Sequence, residues 1–264
     1  MASADPIRTP TPPLHPLSTR NLPRNRAGPR KTPPVSSGPS GPSGPSVPAR
    51  PTDELERRAG ADRGAVVVGV DEVGRGPLAG PVVTGAAWID LDRLPKAVAA
   101  QIADSKALTA ERRASALAAA RPYARIALGR AEVEEIDATN ILAAALAAMG
   151  RAVEALAADL GRSPDLVLVD GNRLPAWDWP ADAVVKGDSR SLSIALAAIA
   201  AKQARDAEMA ALALIHPGYG WERNAGYGTA EHKAALARLG ATPHHRRSFA
   251  PVRAVLAGPV GDKG

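Results

Sequence analysis

The chain has 264 residues, enough for one domain with a single good core or for two small ones, and it holds no cysteine, which excludes disulfides and thiolate metal sites. Its net charge of +6 lies entirely in residues 1–50, where seven Lys/Arg face one acid, Asp5; the 26 basic and 26 acidic residues that follow cancel. A basic fold that binds nucleic acid through its bulk charge is therefore not indicated. The first residues lack the apolar core of a secretory signal, and no window reads as the roughly 18 apolar residues of a membrane span, so a cytoplasmic enzyme or binding protein with no membrane association is expected.

Residues 1–62 are expected to form a disordered Pro/Ser/Gly-rich basic tail. More than half of the 25 prolines and a GPSGPSGPS repeat fall in its first 50 residues, without the hydrophobic periodicity that could offset chain entropy. Its charge fits a solvated extension or a weak electrostatic tether to nucleic acid. A folded domain is expected over 63–258, with a short flexible C-terminus over 259–264. Val66–Val70 and Gly80–Ile89 read as two strands of an antiparallel hairpin, and Arg125–Ile136 as a third strand. Asn140 opens a long Ala/Leu helix that Gly161 closes. Asp165–Asp170 and Ala183–Lys186 read as strands, followed by a helix over Leu192–Ile215. That order describes an α/β fold with a mixed sheet, and no internal repeat is visible.

The valine run that starts at Val66 ends in adjacent acids, Asp71 and Glu72, and the strand over Asp165–Asp170 also ends in an acid. In α/β sheets functional groups collect at strand ends, so these positions suggest one carboxylate cluster. Its mutual repulsion calls for a counter-charge, most economically a hard divalent cation such as Mg²⁺ or Mn²⁺. Singly, Asp71 could cap a turn, and Asp170-Gly171-Asn172 is ordinary turn chemistry. Gly74-Arg75-Gly76 lacks the Lys-Ser/Thr of a Walker loop and the spacing of a dinucleotide loop. It offers a backbone free of Cβ atoms that a phosphodiester can approach closely.

DEVGRGPLAGPVV from Asp71 resembles the Asp-Glu-Ala-Gly-Arg-Gly-Pro opening of the ribonuclease HII (type 2 ribonuclease H) family. ADSKAL (Ala103–Leu108), LVDGN ending at Asn172, KGDSRSLSIA (Lys186–Ala195), AKQARD (Ala201–Asp206), HPGYGWERNAGYGT (His216–Thr229) and HRRSFAPV (His245–Val252) follow in the family's order, so the resemblance covers about residues 64–256. Two positions depart from it: Ala198 replaces a serine, and Ala225 stands where a lysine precedes the Gly-Tyr. Gly-Arg-Gly and the Pro-rich tail favour this family over ribonuclease HIII, which carries a Gly-Lys-Gly type motif and an added folded N-terminal domain.

The resemblance implies a ribonuclease H-like fold, a five-stranded mixed sheet flanked by helices. It implies an endonuclease that hydrolyses the RNA of RNA–DNA hybrids and nicks 5′ of ribonucleotides in duplex DNA by two-metal-ion catalysis, using Mn²⁺ or Mg²⁺ and acting as a monomer. The catalytic acids it implies are Asp71, Glu72, Asp170 and Asp206, the first three as metal ligands. By spacing alone Asp206 pairs with Lys202 one helical turn away. Implied substrate contacts are Gly74, Arg75 and Gly76 at the ribose 2′-hydroxyl, Lys186, Ser193, and Tyr227 as a junction-sensing ring. His232, His244 and His245 read as surface residues, with proton transfer as the alternative. Another nuclease of this fold or a non-catalytic hybrid-binding module would share scattered acids, but would lack either the Gly-Arg-Gly and Gly-Tyr-Gly-Thr blocks or one of the acids.

Overall fold

A computed structural model describes residues 50–258 apart from residue 104; the expected tail over 1–49 and the C-terminus over 259–264 lie outside the described residues. In chain order α1 (Glu54–Arg58) leads through a turn of 3-10 helix into β1 (Val67–Val73) and β2 (Val82–Ile89). Helices α2 (Lys96–Ala99) and α3 (Ala110–Ala120) precede β3 (Ala124–Ala131), α4 (Val133–Ala138) and α5 (Ile141–Leu160). Strands β4 (Leu166–Asp170) and β5 (Ala181–Val184) are followed by α6 (Leu192–Ile215), α7 (Trp221–Asn224), α8 (Ala230–Leu239) and α9 (Ala250–Leu256). The five strands form one mixed sheet ordered β3-β2-β1-β4-β5, as the family resemblance implied. The first three strands are an antiparallel meander, whereas β4 and β5 run parallel to β1.

Side-chain alternation divides β1 between two helical layers. Val68 and Val70 pack with Met149, Ala152, Val153 and Leu156 of α5, while Val67 packs with Leu168, Val184 and Ile194 on the α6 side. Helix α5 is alanine-rich, begins where the Asn140 side chain accepts the Ala143 N–H, and ends at Gly161 in the left-handed region. Its buried residues recur every three to four positions, from Ala144 to Leu156. By length and composition α5 is apolar enough to cross a membrane, contrary to the sequence expectation. Its buried stripe against β1, β2 and β3 makes it a core helix.

Helix α6 lies directly on the strands. A Cβ added at Gly69 would fall 2.2 Å from Ile194 N, and one at Gly85 would fall 2.2 Å from Ala197 O. Glycine on the sheet and Ala195, Ala197, Ala198 and Ala201 on the helix are what permit this approach.

Several expected boundaries shift. The first strand runs on past Val70 to Val73, so Asp71 and Glu72 are paired with Gly85 and Thr84 within it. The third strand stops at Ala131, where pairing with Val82 ends; Val133 and Ile136, buried three positions apart, then belong to α4. β5 spans Ala181–Val184 instead of Ala183–Lys186, because the chain turns at Lys186 with φ 55°. The expected tail over 1–62 overlaps ordered structure: Thr52 bridges to Ser191, Leu55 and Ala59 pack with the core beside Val67, and Glu56 is buried. The Glu56 Oε1 accepts hydrogen bonds from Ser191 Oγ (2.6 Å), Ser193 N (2.8 Å) and Ser193 Oγ (2.6 Å). A carboxylate therefore meets the N-terminal end of α6, where helix N–H groups lack internal partners.

Glu56→Ala strands those donors in the interior and is expected to lower stability by about 1–3 kcal/mol. Denaturant unfolding of the two proteins checks this; equal midpoints would show that the Glu56 carboxylate contributes nothing to the fold.

Candidate active site

The register of β1 and β4 brings two acids level. Val70 pairs with Val169, so Asp71 and Asp170 are the next residues on adjacent parallel strands. Beyond β5, Lys186 turns the chain into a 3-10 turn, Gly187–Ser189, which carries Asp188. The Gly187 N–H donates to Asp170 Oδ1 at 2.6 Å, and a Cβ at Gly187 would press within 2.6 Å of Ile194 Cδ1. Glycine there lets the Asp188 turn close over Asp170.

These groups perturb one another. Asp71 is buried, and loss of hydration pushes its carboxyl well above the usual range, reinforced by the charges of Glu72, Asp170 and Asp188; the Glu72 N–H, 2.7 Å from Oδ1, opposes this. Glu72 is raised by burial and by Asp170, against the opposing charge of Arg75, whose Nη1 lies 3.2 Å from Oε1. Asp170 is raised by burial and then by Asp188, and lowered by the Gly187 N–H and by Lys106. Lys106 Nζ stands 3.8 Å from Asp188 Oδ2.

The fourth acid of the cluster is therefore Asp188, which the sequence reading passed over, and Asp206 is a correction. On α6, Asp206 accepts from Lys202 Nζ at 2.7 Å and Arg113 Nη2 at 2.8 Å. Arg113 also donates to the Leu108 carbonyl at 2.9 Å and, more weakly, to that of Ser105 at 3.5 Å. The pairing with Lys202 that spacing alone indicated holds, and Asp206 fastens α3 and the Lys106 segment to α6. Asp188 lies in KGDSR, where the left-handed Lys186 (φ 55°) and Gly187 turn the chain leaving β5 toward Asp170 at the end of the neighbouring β4.

The acids supply only hard oxygen donors, which suits a divalent cation. Among the described residues no three acids or histidines are grouped to hold one ion with the side chains as they stand. Asp71 is turned to the Glu72 amide, Glu72 to Arg75, and Asp170 to Gly187. A cavity of about 370 Å³ adjoins them, lined by Glu72, Arg75, Asp170, Asn172 and Arg173 and floored by α5. A larger one of about 740 Å³ lies between α3, β3 and α6 and contains none of these acids.

The Gly-Arg-Gly loop is held from beneath. Arg246, fully buried, donates to the carbonyls of Gly74 (2.6 Å), Arg75 (3.1 Å), Gly80 (2.8 Å) and Pro81 (3.2 Å). Arg205, also buried, donates to those of Pro81 (2.9 Å), Ala79 (3.0 Å) and Ala225 (2.9 Å). Burial, with Arg205 as a neighbouring cation, pulls Arg246 down to about 9. Since a trans peptide opposes its C=O and N–H, carbonyls drawn inward turn the amides of Arg75 and Gly76 away from the guanidinium. Gly74 has φ 101°, and a Cβ there would fall 2.2 Å from Arg205 Nε.

Tyr227 is 44% exposed, with its ring over Gly76: a Cβ at Gly76 would lie 3.4 Å from Cε1. Lys186 is exposed beside the Asp188 turn. Ser193 does not meet its expected role, because it is fully buried and bonded to Glu56. His232 and His245 are likewise fully buried and not on the surface. Burial, then the neighbouring imidazoles, lower His245 to about 4.

An unfolded histidine titrates near 6.5, so between about pH 6.5 and about 4 the unfolded chain binds the proton that folded His245 refuses. Stability from this site is present above pH ~6.5 and falls with acidification by up to about 1.4 kcal/mol per pH unit. Denaturant midpoints across that window should fall less steeply in His245→Asn than in the wild type; parallel curves would refute it.

The ribonuclease HII family model matches residues 68–252. A ribonuclease HII of Rhodospirillum rubrum is 59% identical over 210 residues, covering 78% of this chain and 92% of that protein. The crystal structure of the ribonuclease H2 of Pyrococcus horikoshii OT3 superposes with TM-score 0.59 at 25% identity, covering 72% of this chain and 96% of that one. That of Bst-RNase HIII in complex with Mn²⁺ gives TM-score 0.56 at 21% identity, over 73% and 70% of the two chains. With the match spanning both β1 acids, Asp170, the Asp188 turn and Tyr227, the chain belongs to the ribonuclease HII family.

Proposed function

We propose that this ribonuclease H hydrolyses the RNA strand of RNA–DNA hybrids and nicks on the 5′ side of ribonucleotides embedded in duplex DNA, as a monomer in the cytoplasm. The observation that carries the reading is the convergence of Asp71, Glu72, Asp170 and Asp188 at the ends of β1 and β4, beside a loop whose amides face outward. Asp71, Glu72, Asp170 and Asp188 would hold Mg²⁺ or Mn²⁺ ions, whose contribution is to polarise the scissile phosphate and acidify an attacking water. The Mn²⁺ complex of the structurally similar ribonuclease HIII supports that choice of ion.

The chain's own groups select and orient the substrate. Outward amides of Arg75 and Gly76 can bond a ribose 2′-hydroxyl, the one group that separates ribose from deoxyribose. The exposed ring of Tyr227, resting on Gly76, is placed to stack on the sugar that follows, where a second 2′-hydroxyl would crowd it. Arg75, Arg173 and Lys186 are exposed cations around the acids and suit phosphate contacts. Hydrolysis adds the water oxygen to phosphorus and breaks its bond to the 3′-oxygen, which takes a proton. The fragments carry a 5′-phosphate and a 3′-hydroxyl.

Asp71→Asn and Asp188→Asn each remove one donor from the cluster while keeping its shape. Cleavage of duplex DNA with one ribonucleotide, assayed with Mg²⁺ or Mn²⁺, should fall by several orders of magnitude in both, and the metal-free melting temperature should hold or rise as repulsion eases. Asp206→Asn should retain measurable cleavage and melt lower, because it loosens Arg113 and Lys202. Full cleavage by Asp188→Asn, or loss in Asp206→Asn as deep as in Asp71→Asn, would overturn this assignment.

A further inference from the structure

Two buried imidazoles join the loop expected to read ribose to the loop that carries Tyr227. His245 lies in a strand-like contact with the segment just beyond Gly-Arg-Gly: Ala79 bridges to it, the Gly80 N–H donates to His244 O at 2.9 Å, and the Arg246 N–H donates to Leu78 O at 2.8 Å. His232, on the first turn of α8, faces the Tyr227 main chain. The Nε2 atoms of the two rings are 3.1 Å apart.

The surrounding donors fix where the protons lie. The Thr242 N–H donates to His245 Nδ1 at 2.9 Å, so the neutral ring carries its proton on Nε2. That N–H points to His232 Nε2, which also receives the Trp221 indole N–H at 3.1 Å. With Nε2 accepting, the proton of neutral His232 is on Nδ1, 2.9 Å from the Tyr227 carbonyl oxygen. This assignment satisfies all four ring nitrogens, and burial, which lowers the affinity of both rings for a second proton, keeps it. A directed chain of hydrogen bonds runs from Thr242 through His245 and His232 to Tyr227.

Tyr227 needs such a hold. Its ring is partly exposed, and the residues before it, Ala225 at φ 46° and Gly226 at φ 82°, are both left-handed. For Ala225 that conformation costs energy that the surroundings must supply. The Tyr227 carbonyl, which also accepts the Thr229 N–H at 2.8 Å, is where α8 grips this turn.

We propose that His232 is a positioning residue for substrate selection: its Nδ1–H, oriented by His245, holds the Tyr227 main chain so that the ring stays over Gly76, at the boundary between a ribose and the following sugar. This rests on the reading of Tyr227 as the junction contact. His232 touches neither the acids nor substrate, so its loss alters which substrate is cut more than how the phosphodiester is broken.

The experiment compares kcat/KM on duplex DNA containing one ribonucleotide with kcat/KM on RNA paired to DNA. It uses the wild type, Tyr227→Ala, His232→Asn and His232→Gln. The short amide of asparagine keeps an N–H near the Nδ1 position; glutamine reaches the Nε2 position and loses that donor. The ratio of the two constants is expected to fall in Tyr227→Ala, to fall by about three- to tenfold in His232→Gln, and to stay near wild type in His232→Asn. An unchanged ratio in Tyr227→Ala removes the junction reading and the proposal with it. A ratio lowered by Tyr227→Ala but unchanged in His232→Gln overturns the proposal alone, as does an equal fall in both His232 variants. ¹⁵N NMR of wild-type imidazoles tests the same assignment whatever the variants' stability. A Nδ1–H tautomer on His232 and a Nε2–H tautomer on His245 are expected, and Nε2–H on His232 overturns the proposal.

Discussion

The closeness of α6 to the sheet is the constraint on which the site depends. At Gly69 and Gly85 the helix backbone occupies the space a Cβ would need, so the helix is seated on main chain and not on adaptable side chains. The start of α6 is fixed at the same time: Ser191 caps it by accepting the Ile194 N–H, and Glu56 draws Ser191 and Ser193 toward α1. The Gly187–Ser189 turn immediately before that cap inherits its position. Asp188 and the amide that bonds Asp170 are thus placed relative to Asp71 by a helix that carries none of the cluster's acids.

Charge is distributed in two opposite ways around this frame. The strand-end acids crowd one another, opposed by the charges of Arg75 and Lys106 and by the Glu72 and Gly187 N–H groups, and burial makes their ionisation harder. A few residues away two buried guanidiniums spend their donors on main-chain carbonyls, and among the described residues neither forms an ion pair with a carboxylate. Withdrawing those carbonyls would leave buried cations unsatisfied, at several kcal/mol each, so the Gly74–Pro81 loop is stiff despite its glycines. The result is a rigid, outward-facing amide surface beside a concentration of negative charge that is relieved only by cations. The two halves suit a polyanion that arrives with its metal ions.

Asp206 and Asp188 show how similar sequence signals separate in space. Both follow a small residue or an arginine in a stretch rich in Lys and Arg. Asp206 lies on α6 within reach of Lys202 one turn back and of Arg113 from α3, and two cations neutralise it. Asp188 lies on a turn that folds back over the end of β4, beside Asp170 and Asp71, with Lys106 3.8 Å away.

Much was legible without coordinates because it is local. The helix from Asn140 to Gly161 is marked by its own cap residues, α6 by composition and length, and the start of β1 by the valine run that leads into Asp71 and Glu72. The motifs identified the family for the same reason: each is a short block whose residues act together. What sequence could not supply were partnerships between distant segments. Glu56 meets Ser193 across 137 positions, Arg246 meets Gly74 across 172, and Arg113 meets Asp206 across 93. A buried polar residue is chosen by partners that only the folded chain assembles, and no periodicity records them. The sequence by itself determined the family, the five strands and the two long helices in outline, and pointed to Asp71, Glu72 and Asp170 as acids of one cluster. Tertiary structure decided that Asp188 joins the cluster, that Ser193 bonds Glu56 while Asp206 pairs with Lys202 and Arg113, and that His232 and His245 are internal, because each outcome depends on which charge or donor lies within hydrogen-bonding distance.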